Sequence, residues 1–245
     1  MGSHVDCIAC IVNKANILAD LYMGDKQQKH LFLREVLAEI LATEFERSAP
    51  YIEAKMTRIA CRITGVSDFY AKDKQVFNQL MLSLEQDVAE VISLEQDPLF
   101  EAMKAALAGN IIDFSALPEV SPVLVKETLF KTLRMQSLDY SLYTRLVKEL
   151  GSAKNLLYLG DNAGEIVMDK LFLRELKQRF SHVSITFATR AKPISSDITE
   201  ADAYQVGIDG LATVINNGTD LPGTDLLEVS EPFLEVFHNA DIIIS

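Results

Sequence analysis

Apolar positions recur at helical spacing through the first part of the chain. Cys7 to Leu21, Gln27 to Glu46, Tyr51 to Ile63, Lys74 to Ser93 and Pro98 to Ala108 each carry such a stripe. Leu31, Val36, Ile40 and Phe45 mark one of these faces. Pro50 follows Ser48 at a helix start, and Asp97-Pro98 opens the next helix. Ala108 to Phe114 reads as an apolar-polar turn. Helical spacing resumes over Pro122 to Leu133 and Asp139 to Leu150. From Asn155 the pattern changes. Short apolar or β-branched runs, Leu156 to Leu159, Val183 to Ala188, Ala212 to Ile215 and Asp241 to Ile244, alternate with helical segments at Glu165 to Phe180, Thr199 to Val206 and Glu231 to Asn239. Such alternation predicts a parallel sheet with helical crossovers. The expected fold is therefore α/β. A helical N-terminal domain, residues 1–150, precedes a Rossmann-like domain with a mostly parallel sheet, residues 151–245.

The most telling segment lies where the first strand ends. Leu156 to Leu159 stops at Gly160, Asp161 and Asn162 follow at once, and Gly164 leads into the helix starting at Glu165. In an open α/β sheet, turns of this kind sit at the carboxyl ends of the strands, where ligands bind. A carboxylate beside a carboxamide forms a hard-oxygen site suited to Mg²⁺ or Mn²⁺. The segment after the second strand, Thr189 to Asp202, brings Arg190, Lys192 and Asp197 to the same edge. Neighbouring strands lie ~5 Å apart, so Asp197 can join Asp161 and Asn162 on one cation. Arg190 and Lys192 can then neutralise a substrate phosphate. The competing reading makes Asp197 a cap for the helix that follows.

Composition narrows the partners. Thirty-five acids against 23 bases give a net charge of −12, which argues against nucleic acid as a ligand. A small phosphorylated metabolite needs only a local cluster of cations. No apolar run approaches the ~20 residues that span a bilayer, and no secretory signal opens the chain. Three cysteines do not make an extracellular disulfide framework, so a cytoplasmic protein is expected. Cys7 and Cys10 read as thiols on one helix face, with a structural metal as the alternative. Met1 to His4 resembles an expression-tag remnant. The chain stops on a strand, where this fold class normally continues, so a C-terminal truncation is expected. Asn216 to Asp225 carries turn chemistry at the ligand-binding edge. Asp169, one helical turn beyond Glu165, reads as a solvated or capping acid.

Gly160-Asp-Asn-Ala-Gly-Glu165, Arg190-Ala-Lys-Pro-Ile-Ser-Ser-Asp197 and Ala108-Gly-Asn-Ile-Ile-Asp113 resemble the DUF89 family of damage-control phosphatases, also called the ARMT1-like domain family. Asp6-Cys-Ile-Ala-Cys10 and the residues after it resemble the opening of the stand-alone microbial branch. The resemblance runs through nearly the whole chain in the same order. It implies a helical domain packed on a Rossmann-like domain, and metal-dependent hydrolysis of phosphate monoesters. The implied metal ligands are Asp161, Asn162 and Asp197. Glu165 is implied near the substrate, Asn110 and Asp113 at the pocket border, and Arg190 in the phosphate-facing loop. A lysine facing the phosphate is implied in a loop beyond Ser245. Mn²⁺, Mg²⁺, Co²⁺ and Ni²⁺ all suit oxygen ligands. The nucleophile is either Asp161 itself, forming an aspartyl phosphate, or a water activated at the ion. Two rival readings remain. One is an S-adenosylmethionine-dependent methyltransferase, although the turn lacks the fuller glycine pattern of such loops. The other is a non-catalytic regulator on the same fold.

Overall fold

The computed structural model describes residues 5–44, 46–111, 122–134 and 140–245. Helices α1 (Val5–Tyr22), α2 (Lys26–Ala42), α3 (Ala49–Thr64), α4 (Ala71–Leu94), α5 (Pro98–Ile111), α6 (Pro122–Leu133) and α7 (Tyr140–Leu150) precede the first strand. Then β1 (Asn155–Leu159), α8 (Glu165–Arg179), β2 (Ser184–Thr189), α9 (Glu200–Val206), β3 (Thr213–Asn216), α10 (Glu231–Asn239) and β4 (Ile242–Ile244) alternate. The sheet is parallel throughout and ordered β3-β2-β1-β4. The order reverses beside β1, which places a switch point, the usual ligand crevice of such sheets, at its carboxyl end.

Both faces of the sheet are covered, as a parallel sheet requires. Leu156 and Tyr158 of β1 and Ile185 and Phe187 of β2 point into the main core with α4, α5 and α8. Leu157 and Ala188, one register step away, meet Phe233 of α10 on the other face. Every second residue changes face, yet both sets are buried. That is why β1 reads as a continuous apolar run rather than an alternating one.

The cores divide between α3 and α4. Ile11, Ala15, Phe32, Val36, Ile52 and Met56 belong to a separate cluster built by α1, α2 and α3. Helices α4 and α5 share the core of the sheet. Polar contacts link the α1–α3 cluster to the loops beyond β3. Arg58 pairs with Asp220 (Nε to Oδ2, 2.8 Å), and Arg47 with Glu228 at 2.7 Å.

Two local expectations change. The α2 stripe that is buried is Phe32 and Val36, one helical turn apart, whereas Leu31 is 47% exposed. Ala108, Gly109 and Asn110 lie in the last turns of α5 rather than in a turn. A Cβ at Gly109 would lie 3.2 Å from Met168 Cβ and 3.4 Å from Glu165 Cα. Glycine therefore lets α5 approach the first turns of α8 closely and delivers Asn110 to Glu165. Phe45, Asp113 and the rest of the segment to Phe114 lie outside the described residues.

Candidate active site

The site is built from the carboxyl ends of β1 and β2. Gly160 ends β1 under Phe187 and Ile198, both fully buried. A Cβ there would collide with the Phe187 ring and lie 2.7 Å from Ile198 Cδ1. Gly164, at φ 85°, occupies the left-handed region that favours glycine and ends the turn at the start of α8. The two loops that carry Asp161, Asn162 and Asp197 are joined by backbone. Asn162 and Asp197 form an antiparallel bridge, Ile198 N donates to Asp161 O (2.8 Å) and Ala163 N to Ser196 O (2.9 Å). Ser195, just before Ser196, has φ 47°, the one positive φ of a non-glycine residue among those described.

Asp161, Asn162 and Asp197 are thus brought together, as expected. Between the two acids lies Arg190. Its Nε donates to Asp197 Oδ2 at 2.7 Å, its Nη2 to Asp161 Oδ1 at 3.0 Å and its Nη1 to Gly160 O at 3.3 Å. The Arg190 side chain is 3% exposed, that of Asp197 7% and that of Asp161 46%. Arg190 is therefore not an open phosphate-facing side chain. It is a buried brace for both acids, and Asp161 is the member open to a ligand. Gly223 N also donates to Asp197 Oδ2, at 3.1 Å, which ties in the loop beyond β3. The cap of α9 is supplied by Thr199 and Asp202, not by Asp197. Lys192 is exposed. Its charge acts on Asp220, held below the usual carboxylate range first by the Arg58 hydrogen bond and also by Lys192.

Asn162 donates through Nδ2 to Asp161 Oδ2 (2.8 Å) and more distantly to Glu165 Oε2 (3.4 Å), and its Oδ1 accepts from Ser196 Oγ (2.7 Å). Glu165 Oε1 accepts from Asn110 Nδ2 at 2.9 Å. Glu165 and Asn110 therefore border the site, as the resemblance implies. Ser196 and Gly223 were not singled out, though both lie in segments that were. Burial is the main cause that lifts Asp197 to about 6, against the pull of Arg190, and Asp161 adds to the rise. Glu165 is also raised, chiefly by burial.

These residues fit a hard cation. A carboxylate offers about four lone-pair sites and an amide oxygen two. The hydrogen bonds above use two sites on Asp161, two on Asp197 Oδ2 and one on Asn162 Oδ1, so oxygen sites remain on all three. The donor set is two acids and an amide; among the described residues no group of three His, Cys, Asp or Glu forms a metal cluster. Cys7, Cys10 and Cys61 are free thiols.

Asp169 is not a solvated acid. It is 2% exposed and accepts a 2.6 Å hydrogen bond from Tyr158 Oη on β1. Burial first, and then the charge of Glu165, pushes its carboxyl well above the usual range. A group raised on folding contributes stability below its unfolded pKa of ~4 and loses it as pH rises through the folded value. Asp169→Asn keeps an acceptor for Tyr158 without the buried charge. This variant is expected to gain on the wild type in thermal midpoint as pH rises from 4 to 7, with the two converging near pH 4. A wild type whose relative advantage grows with pH would contradict that assignment.

Parallel strands, a switch point at β1 and a braced pair of acids with one member open define an α/β protein with a carboxylate-centred candidate site. The family model for the Damage-control phosphatase ARMT1-like domain matches residues 3–245. The chain belongs to that family. It is 28% identical over its whole length to a damage-control phosphatase of Pyrococcus horikoshii, covering 83% of it. It is 30% identical over 98% of its length to a damage-control phosphatase of Archaeoglobus fulgidus, covering 82% of that protein. A crystal structure of a DUF89 family protein from Pyrococcus horikoshii superposes with a TM-score of 0.85 at 26% identity, covering all of this chain and 84% of that one. Among the described residues no helix is long and apolar enough to cross a membrane.

Proposed function

We propose that this chain is a metal-dependent phosphatase acting on phosphate monoesters of small metabolites such as sugar phosphates, nucleotides or phosphopantetheine-like compounds. One observation carries the reading. Asp161, Asn162 and Asp197, from two loops, converge at the carboxyl edge of the sheet, and of the two acids Asp161 is the one half open to solvent. The names of the two archaeal relatives support the same class.

Asp161, Asn162 and Asp197 would hold a divalent ion, Mn²⁺, Mg²⁺, Co²⁺ or Ni²⁺. Bound there, it supplies positive charge to a phosphoryl oxygen as negative charge develops. The protein does the rest. Arg190, bound to both acids, offsets the repulsion that the two carboxylates would otherwise exert on each other. Asp161 presents an oxygen to phosphorus, and we read it as the nucleophile. In that step an Asp161 oxygen–phosphorus bond forms, the ester oxygen–phosphorus bond breaks, and the leaving oxygen takes a proton from Glu165 to depart as the alcohol. Water then cleaves the acyl phosphate and restores Asp161. Glu165, raised above the usual carboxylate range chiefly by burial and held by Asn110, is the neighbouring carboxyl that gives the alcohol its proton and takes one back from the attacking water. The turn contains none of the further glycines that an adenosyl-binding loop uses, so the methyltransferase reading draws nothing from the site.

The test is a panel of phosphate esters assayed for phosphate release with EDTA and with each of the four metals. Release in at least one metal and none in EDTA is the expected result. Metal-independent release, or silence across the panel, would overturn the proposal.

A further inference from the structure

Helix α4 enters the main core with a fully buried asparagine, Asn78. It is far from both ligand-bearing loops in sequence, yet it contacts the continuation of each. Its Oδ1 accepts from Gly164 N at 2.7 Å, two residues after Asn162. Its Nδ2 lies 3.4 Å from Asp202 Oδ1. Asp202 in turn accepts, through Oδ2, from Thr199 N and Thr199 Oγ1, both at 2.8 Å, two residues after Asp197. One side chain therefore joins the turn carrying Asp161 and Asn162 to the segment carrying Asp197, from outside both.

A carboxamide of this length suits the place. The contact with Gly164 needs an acceptor and the contact with Asp202 needs a donor. An aspartate would face Asp202 as a like charge, and an apolar residue would leave Gly164 N without this partner. One turn earlier on α4, buried Lys74 lies 3.6 Å from Asp202 and 2.9 Å from Asp68 in the α3–α4 connection. Its charge offsets that of the acid to which Asn78 donates. The network Asp68–Lys74–Asp202–Asn78 thus runs from the helical layer to the back of the site and touches no group expected to meet substrate.

We propose that Asn78 is a positioning residue that sets the spacing of Asp161 and Asn162 against Asp197. The inference rests on the metal-phosphatase reading of the site and adds the side chain that holds its geometry. Partners hydrogen-bonded directly to metal ligands typically matter by about 10- to 100-fold in affinity or rate; Asn78 acts one link further back, on the backbone and cap that follow the ligands, so the lower end of that range is expected.

The test compares wild type with Asn78→Leu, which is close in size and makes no hydrogen bond. Free Mn²⁺ is followed by electron paramagnetic resonance during titration of the metal-free protein, at a temperature where thermal unfolding shows both proteins folded. Turnover of p-nitrophenyl phosphate is measured at saturating Mn²⁺. The expected result is an Mn²⁺ dissociation constant raised roughly 10-fold or more, a lower kcat at saturating metal and a KM that stays within about 2-fold. If Asn78→Leu does not fold, Asn78→Ser, too short to reach both partners, is read in the same way. A variant that melts earlier yet binds Mn²⁺ and turns over like wild type would assign Asn78 to stability alone and overturn the proposal. Wild type that neither binds Mn²⁺ nor releases phosphate would instead overturn the reading of the site beneath it.

Discussion

Asp161→Ala is expected to abolish phosphate release while leaving the protein folded. The two halves of that statement have separate physical grounds. Removing a central catalytic group commonly lowers kcat by factors of about 10³ or more, and Asp161 is at once the open carboxylate, a proposed metal ligand and the proposed nucleophile. Its side chain is 46% exposed, so deleting it empties no core space. The cost to the fold is the loss of one partner each by Arg190, which keeps Asp197 Oδ2 and Gly160 O, and by the Asn162 amide, which keeps the longer contact with Glu165 Oε2. A thermal midpoint within a few degrees of wild type is therefore expected beside a rate at the background of the assay. Asp161→Asn separates the roles further. The amide keeps an oxygen for a cation but is a poor nucleophile, so it should retain more metal affinity than alanine and equally little turnover. Measurable steady-state release by Asp161→Ala, above a mock-purified control, would remove Asp161 from the mechanism.

Much of the site was legible because its signals are local. A run of apolar residues ending in Gly160, followed by Asp161 and Asn162 and then by an amphipathic segment, is a strand-turn-helix written within one stretch of chain. Asp197 was legible for the same reason: it follows the next strand, and neighbouring parallel strands put their ends side by side. The features that escaped all depend on what lies across the fold. Asp169, with Lys170 beside it and Glu165 one turn before, reads as part of a charged face; it lies in the core instead, where the hydroxyl of Tyr158 on β1 reaches it. Asn78 sits in a helix of mixed character, and nothing near it in sequence names Gly164 or Asp202. Gly109 suggested a turn, whereas the reason for glycine is the close approach of α8. The division of the cores between α3 and α4 was hidden because α1 to α5 carry similar helical stripes. Periodicity reports that a face is buried, not which partner buries it.

Arg190 shows how burial reverses the meaning of a residue, and its replacement is expected to give the largest loss of stability. From sequence, an arginine in a loop beside a proposed phosphate site reads as a substrate ligand. In the fold it is 3% exposed and bound to Asp197, Asp161 and the Gly160 carbonyl. Arg190→Met removes the cation but leaves Asp197 buried, now facing Asp161 with no intervening charge. Breaking a buried pair from one side costs about 3–5 kcal/mol, because the remaining charge is uncompensated. For a chain of this length each kcal/mol moves the midpoint by about 2–4 °C, so a fall of order 10 °C in EDTA is expected. A divalent ion bound between the same carboxylates would replace part of the missing charge. At about 100 times its dissociation constant a ligand specific to the folded state adds about 2.7 kcal/mol. Mn²⁺ should therefore raise the midpoint of Arg190→Met by more than it raises that of wild type, where the guanidinium already neutralises both acids. Differential scanning fluorimetry in EDTA and in Mn²⁺ reads both effects together. An Arg190→Met protein as stable as wild type in EDTA would refute the brace, and equal Mn²⁺ shifts in the two proteins would refute compensation of the missing guanidinium charge by the ion.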